Sequence, residues 1–75
     1  MRKIVWIKGR MELVINLEKA LGKLARKGSG IWRRTEKVTV KVKDEYMEIP
    51  LRHKNGVIYV DIDGNELMYT QRMVR

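Results

Sequence analysis

Cysteine is absent from this 75-residue chain, and histidine, serine, glutamine and proline occur once each. Without Cys no disulfide can staple the fold, and the usual zinc-ligand spacings fail. One His (His53) and one Ser (Ser29) do not make a nucleophilic triad, so no catalytic residues, metal or cofactor are expected and the chain does not read as an enzyme. Long apolar runs are also missing. The stretch from Ile4 to Ile7 is far too short for a signal-peptide core or a membrane span, which leads to the expectation of a cytoplasmic protein with no membrane partner. The lack of Cys, the single Gln and a charged fraction of 35% lean toward a thermophilic source.

A chain of this length forms one domain, residues 1–75, and buries only about 60–65% of its unfolded surface. With no disulfide or metal to reinforce so small a core, a homodimer is the expected assembly.

What the chain has in excess is positive charge. Lys and Arg number 17 against 9 Asp and Glu, a net charge of +8. The excess is confined to one half: residues 1–43 hold 13 basic and 3 acidic side chains, whereas residues 44–75 hold 4 and 6. A polarised field of this kind suits an anionic polymer, the competing reading being a merely solvated surface.

The pattern is clearest over LVINLEKALGKLARK, Leu13 to Lys27. At 100° per residue, Leu13, Val14, Leu17, Ala20, Leu21, Leu24 and Ala25 share one arc, the buried stripe of an amphipathic helix. Lys19, Lys23, Arg26 and Lys27 occupy the other side. Before this helix, RKIVWI (residues 2–7) reads as a strand with Trp6 in the core, and Lys8-Gly9-Arg10 as a turn. Two helix starts compete, one near Met11 and one at Asn16 as N-cap; the first is preferred, although it leaves Ile15 on the polar arc. Gly28 is expected to end the helix in the left-handed conformation.

Beyond the helix, Val38, Val40 and Val42 alternate with Lys37, Thr39, Lys41 and Lys43, giving a strand with an apolar and a basic face. Asp44-Glu45 is expected to turn into a strand over Tyr46–Arg52 with Met47, Ile49 and Leu51 inward and Pro50 at an edge or non-bonded position. Asn55-Gly56 is the strongest hairpin signal. It leads into Val57–Asp63, with Ile58, Val60 and Ile62 inward, then a turn at Gly64-Asn65 and a last strand from Glu66 to about Met73. DIDGNE (Asp61–Glu66) is superficially like a calcium loop, but positions 6 and 12 of that loop would be Glu66 and Arg72 rather than Gly and a carboxylate, so it reads as a hairpin. The expected class is α+β: one amphipathic helix packed on an antiparallel sheet, in the order β-α-β-β-β-β.

The segment K-G-R-M-E-L-V-I-N-L-E-K-A-L-G (Lys8 to Gly22) resembles part of the swapped-hairpin transcription factors of the AbrB and MazE type, in which a K-G-R turn leads into a short strand and a helix ending in Leu-Gly. Lys8, Gly9, Arg10, Leu17, Leu21 and Gly22 match in spacing. The family's Pro is Val14 here and its helix Arg is Glu18. The resemblance implies a dimeric DNA-binding domain.

The function expected is a small basic nucleic-acid-binding protein, DNA favoured over RNA, acting as a dimeric regulator or architectural factor. Its phosphate contacts would come from Lys19, Lys23, Arg26, Lys27, Arg33, Arg34, Lys37, Lys41 and Lys43, with Trp32 stacking on a base and Arg33 or Arg34 reading base edges. The alternatives are a module docking an acidic protein partner and, with less support, a metal-independent RNA-cutting toxin using Arg52, His53, Lys54 and a Tyr.

Overall fold

The computed structural model describes residues 5–75, with side chains from residue 9 onward. It opens on a helix, α1 (Val5–Lys27), followed after one residue by a short helix, α2 (Ser29–Arg34). Five strands follow: β1 (Lys37–Val42), β2 (Glu45–Pro50), β3 (Arg52–Lys54), β4 (Val57–Ile62) and β5 (Asn65–Tyr69). A four-residue helix, α3 (Gln71–Val74), ends the described chain. The strands make two antiparallel sheets, β1-β2 and β3-β4-β5, so the class is α+β as expected.

The start of the chain differs from the expectation. Val5–Arg10 is helical, so neither a strand over 5–7 nor a turn at Lys8–Arg10 exists, and residues 2–4 of that strand lie outside the described residues, as does the packing of Trp6. The penalty of β-branched and aromatic residues in a helix is only a few tenths of a kcal/mol each, and Gly adds about 1. Burial outweighs this. Gly9, Leu13, Leu17, Leu21 and Ala25 form a row at every fourth position, and all are buried. The same continuous helix replaces the turn and strand implied by the resemblance to swapped-hairpin factors, and helicity runs on past Gly22 to Lys27.

Asn16 is mid-helix, not an N-cap. Its Nδ2 donates to the Lys41 carbonyl at 2.6 Å. Ile15, on the polar arc, is half exposed. At Gly28 the chain takes φ 122° and ψ 163°, open to glycine but outside the left-handed helical region expected there, and this turns α1 into α2.

Each hairpin closes on two residues with positive φ: Lys43 (49°) and Asp44 (66°), Asn55 (54°) and Gly56 (81°), Asp63 (57°) and Gly64 (78°). These are type I′ loops, whose twist suits paired strands. The first and third lie one residue earlier than expected. The inward faces are nevertheless as expected: Val38, Val40, Val42, Ile49, Leu51, Ile58, Val60 and Ile62 are buried. In place of a calcium loop, Asp61 Oδ1 accepts from Gly64 N at 3.1 Å inside the hairpin.

The strand expected over Tyr46–Arg52 is divided at Leu51, between the two sheets. Pro50 sits opposite Lys37 and brings no N–H to the outer edge of β2, and the Leu51 N–H donates to the Glu36 carbonyl at 2.8 Å, one pair beyond the end of β1–β2, before the chain passes into the second sheet. At the C-terminal end the last strand stops at Tyr69. Thr70 caps α3 by accepting from Met73 N, so residues 71–74 are helical rather than extended. The backbone of α3 lies against α1 at Gly22, where a Cβ would stand 2.7 Å from the Val74 carbonyl oxygen.

One core joins both sheets to the helices. Trp32 of α2 is 1% exposed and its Nε1–H donates to the Gly56 carbonyl at 2.8 Å, tying α2 to the β3–β4 hairpin. His53 makes a parallel tie. Its Nε2 is 2.6 Å from the Thr35 carbonyl, which can only accept, so Nε2 carries the proton.

Candidate nucleic-acid interface

The amphipathic pattern of α1 faces its apolar row into the core, which leaves Lys19, Lys23 and Lys27 in line on an exposed face at a four-residue interval. β1 places Lys37, Thr39 and Lys41 outward by strand alternation. A two-residue loop makes its flanking residues exchange both backbone bonds, so Val42, Val40 and Val38 bond to β2. The backbone groups of Lys41 and Lys43 therefore point to the free side of β1. There α1 supplies partners: Asn16 for the Lys41 carbonyl, and the Glu12 carboxylate for the Lys43 N–H at 3.3 Å. Along the rest of its length β1 packs beside α1, with a recess open to solvent on the outer side.

The space between them is an open groove of about 550 Å³. Lys19, Lys23 and Lys27 form one bank, Lys37, Thr39 and Lys41 the other, with Asn16, Ala20, Leu24, Val38 and Val40 between and Tyr46 at the outer lip. No carboxylate lines it. Like charges four apart on a helix are mutually destabilising by roughly 0.2–0.5 kcal/mol per pair, and among the described residues none of the three helix lysines has an ion-pair partner. The strand bank is partly neutralised. Lys37 Nζ is 3.3 Å from Glu48 Oε1 and Lys41 Nζ is 3.8 Å from Asp44 Oδ1, both pairs being exposed.

No protein-family model, curated protein or solved structure matches this chain. What it does must be read from its own surface.

Of the residues expected from sequence, Lys19, Lys23, Lys27, Lys37 and Lys41 converge on this groove. Arg26 does not line it and instead borders a second pocket between α1 and α3, while the Arg33 guanidinium lies by Gly56 and that of Arg34 by Gly30. Lys43 is held through its backbone and is not part of the groove lining. Trp32 requires a correction. A buried indole whose N–H is already bonded cannot stack on a base, and its role is structural. Sequence reasoning missed Tyr46, 73% exposed and directly across from Lys41. The signal was present, because placing Met47 and Ile49 inward turns Tyr46 outward.

Two other recesses open on the surface. Arg52, His53, Lys54, Tyr59 and Glu66 line a pocket of about 370 Å³, the set proposed for RNA cleavage. Alternation along β3 sends the His53 side chain to the face opposite Arg52 and Lys54, its Nε2 is committed to Thr35, and its Nδ1 is buried without a partner among the described residues. Arg52 is ion-paired with Glu66. Among the described residues no three His, Asp or Glu side chains gather as a metal site, and no helix is long and apolar enough to cross a membrane.

The pocket between α1 and α3, about 610 Å³, is lined by Ile15, Glu18, Gly22, Tyr69, Met73 and Val74, with Lys19, Lys23 and Arg26 at its rim. Burial pushes the Tyr69 phenol above its ordinary value of 10.0, and the charge of Glu18 and a hydrogen bond to it act in the same direction. A group with a raised folded pKa stabilises fully below its unfolded pKa and loses that contribution as pH rises through the folded value. The melting temperature of the parent should therefore fall more steeply above about pH 10 than that of Tyr69→Phe. Parallel alkaline limbs for the two proteins would contradict the placement of this phenol.

Proposed function

We propose that the protein binds nucleic acid through the groove between α1 and β1, with Lys19, Lys23, Lys27, Lys37 and Lys41 contacting phosphates. The observation that carries this reading is the convergence of two basic rows, distant in sequence, on one recess with no carboxylate in its lining. Alone, each row is an ordinary solvated face. Facing each other, they raise the local positive potential, and an anion lying between them relieves the repulsion within both. Phosphate contacts give affinity and position without sequence preference, which suits an architectural or regulatory binder.

A labelled panel of duplex DNA, single-stranded DNA and single-stranded RNA, titrated with purified protein at low salt, tests the proposal. Binding of at least one in the micromolar range or tighter supports it, and no binding to any refutes it. The rival reading, an acidic protein partner, draws on the α1–α3 pocket, where apolar Ile15, Met73 and Val74 lie beside Lys19, Lys23 and Arg26. A parent protein that ignores the whole panel leaves that reading in its place. Homodimerisation is part of the proposal on grounds of chain size, and sedimentation equilibrium should return twice the 8.9 kDa chain mass. A monomer at micromolar concentration would remove it.

A further inference from the structure

We infer that the groove takes a single strand of nucleic acid rather than a duplex, its backbone along α1 and its bases turned toward β2, where Tyr46 is the stacking platform. The inference rests on the nucleic-acid reading above and adds the form of the ligand and its orientation. Three observations carry it.

The first is shape. Reading a duplex directly requires a protruding helix or ribbon to enter a major groove about 12 Å wide. Here the arrangement is reversed: the cations stand on the two banks of a recess, with side chains of α1 and β1 as its floor. The ligand must enter the protein, which a single flexible strand can do.

The second is a gradient of charge across the groove. The α1 bank is purely cationic, with Lys19, Lys23 and Lys27 unpaired among the described residues. The far side carries Lys37 with Glu48 and Lys41 with Asp44. Phosphates gain most along α1 and are repelled where Glu48 faces outward on β2. A duplex presents phosphates on both flanks, whereas a single strand has one anionic edge and one edge of bases.

The third is Tyr46, whose ring is largely exposed at the lip on the β2 side, next to Lys41 across the β1–β2 pair. Aromatic stacking accepts any base, because every base has a π face. Glu48, two residues along the same strand face, adds a carboxylate acceptor on the side to which the bases would turn, a group that can pair with a cytosine amino group.

The test measures affinity by fluorescence anisotropy for a labelled oligodeoxythymidine, the same length of abasic strand, and a duplex of that length, using the parent, Tyr46→Ala and Tyr46→Phe. The parent should prefer oligodeoxythymidine to both other probes. Tyr46→Ala should lose about tenfold on oligodeoxythymidine, with no change on the abasic strand, and Tyr46→Phe should bind like the parent because the ring is kept. Thermal melts should be unchanged, since the side chain is exposed. Duplex bound as tightly as the single strand, or Tyr46→Ala indistinguishable from the parent on oligodeoxythymidine, would overturn the inference while leaving the nucleic-acid reading intact. If the parent binds none of the three probes, this inference is overturned, and the broader reading fails with it when single-stranded RNA is ignored as well.

Discussion

Changing Lys19, Lys23 and Lys27 together to Glu should abolish nucleic-acid binding and leave the fold in place. All three side chains are exposed on the solvent side of α1, and the buried row Leu13, Leu17, Leu21 and Ala25 is untouched. Lys and Glu have nearly equal helix propensities, so little secondary structure is at stake. The substitutions reverse the field along the whole helix bank of the groove. Changing Lys37 and Lys41 to Glu should weaken binding less, because Glu48 and Asp44 already offset those two charges. Circular dichroism and melting curves establish that each variant is folded, and anisotropy titrations rank them. Equal losses from the two sets would show that the two banks contribute alike and that no charge gradient crosses the groove. Binding retained by the triple variant would place the contacts elsewhere, with Arg33 and Arg34 on α2 the first alternative.

Trp32→Ala should have the opposite signature, a loss of stability rather than of a surface. Removing an indole from a site 1% exposed typically costs about 3–5 kcal/mol, and here the Gly56 carbonyl also loses its donor. A domain of this length has only roughly 4–11 kcal/mol in total. The variant should therefore unfold at or near room temperature, or melt at least about 12 °C below the parent. Trp32→Phe keeps much of the packing and drops the N–H, so it should fall between the two. A Trp32→Ala protein as stable as the parent but unable to bind nucleic acid would restore the base-stacking role that its arginine neighbours suggest in the sequence.

Trp32 also illustrates what a one-dimensional reading contains. IWRR, an aromatic beside two guanidinium groups, is compatible with a nucleic-acid contact and with a short helix that buries its aromatic; only the hairpin at Asn55-Gly56, brought alongside from 24 residues away, decides between them. Where burial repeats locally, the sequence was legible. The alternation at Val38, Val40 and Val42 and at Ile58, Val60 and Ile62 gave the inward faces, and the leucines of α1 gave its stripe. Val5–Arg10 was not legible, because its β-branched and glycine residues favour extended structure by small increments that packing of the i, i+4 row overrides. The passage at Leu51 from one sheet to the other and the packing of α3 against Gly22 are likewise tertiary outcomes. The candidate site was half legible. Both lysine rows could be read from their periods, but that they face each other, and that Tyr46 stands at the lip, follows only from β1 lying alongside α1.

The most direct measurement on the central claim is the salt dependence of binding to an oligodeoxythymidine strand. Each phosphate contact contributes about 0.7 to the negative slope of log affinity against log salt on a single strand. Three helix lysines alone should give a slope near −2, and all five groove lysines a slope near −3.5. The parent should fall between these limits, and the Lys19, Lys23, Lys27 variant should show no measurable binding from which to draw a slope. A parent affinity that is flat with salt, or a triple variant that keeps the parent's slope, would contradict the assignment of the groove as the phosphate-binding surface.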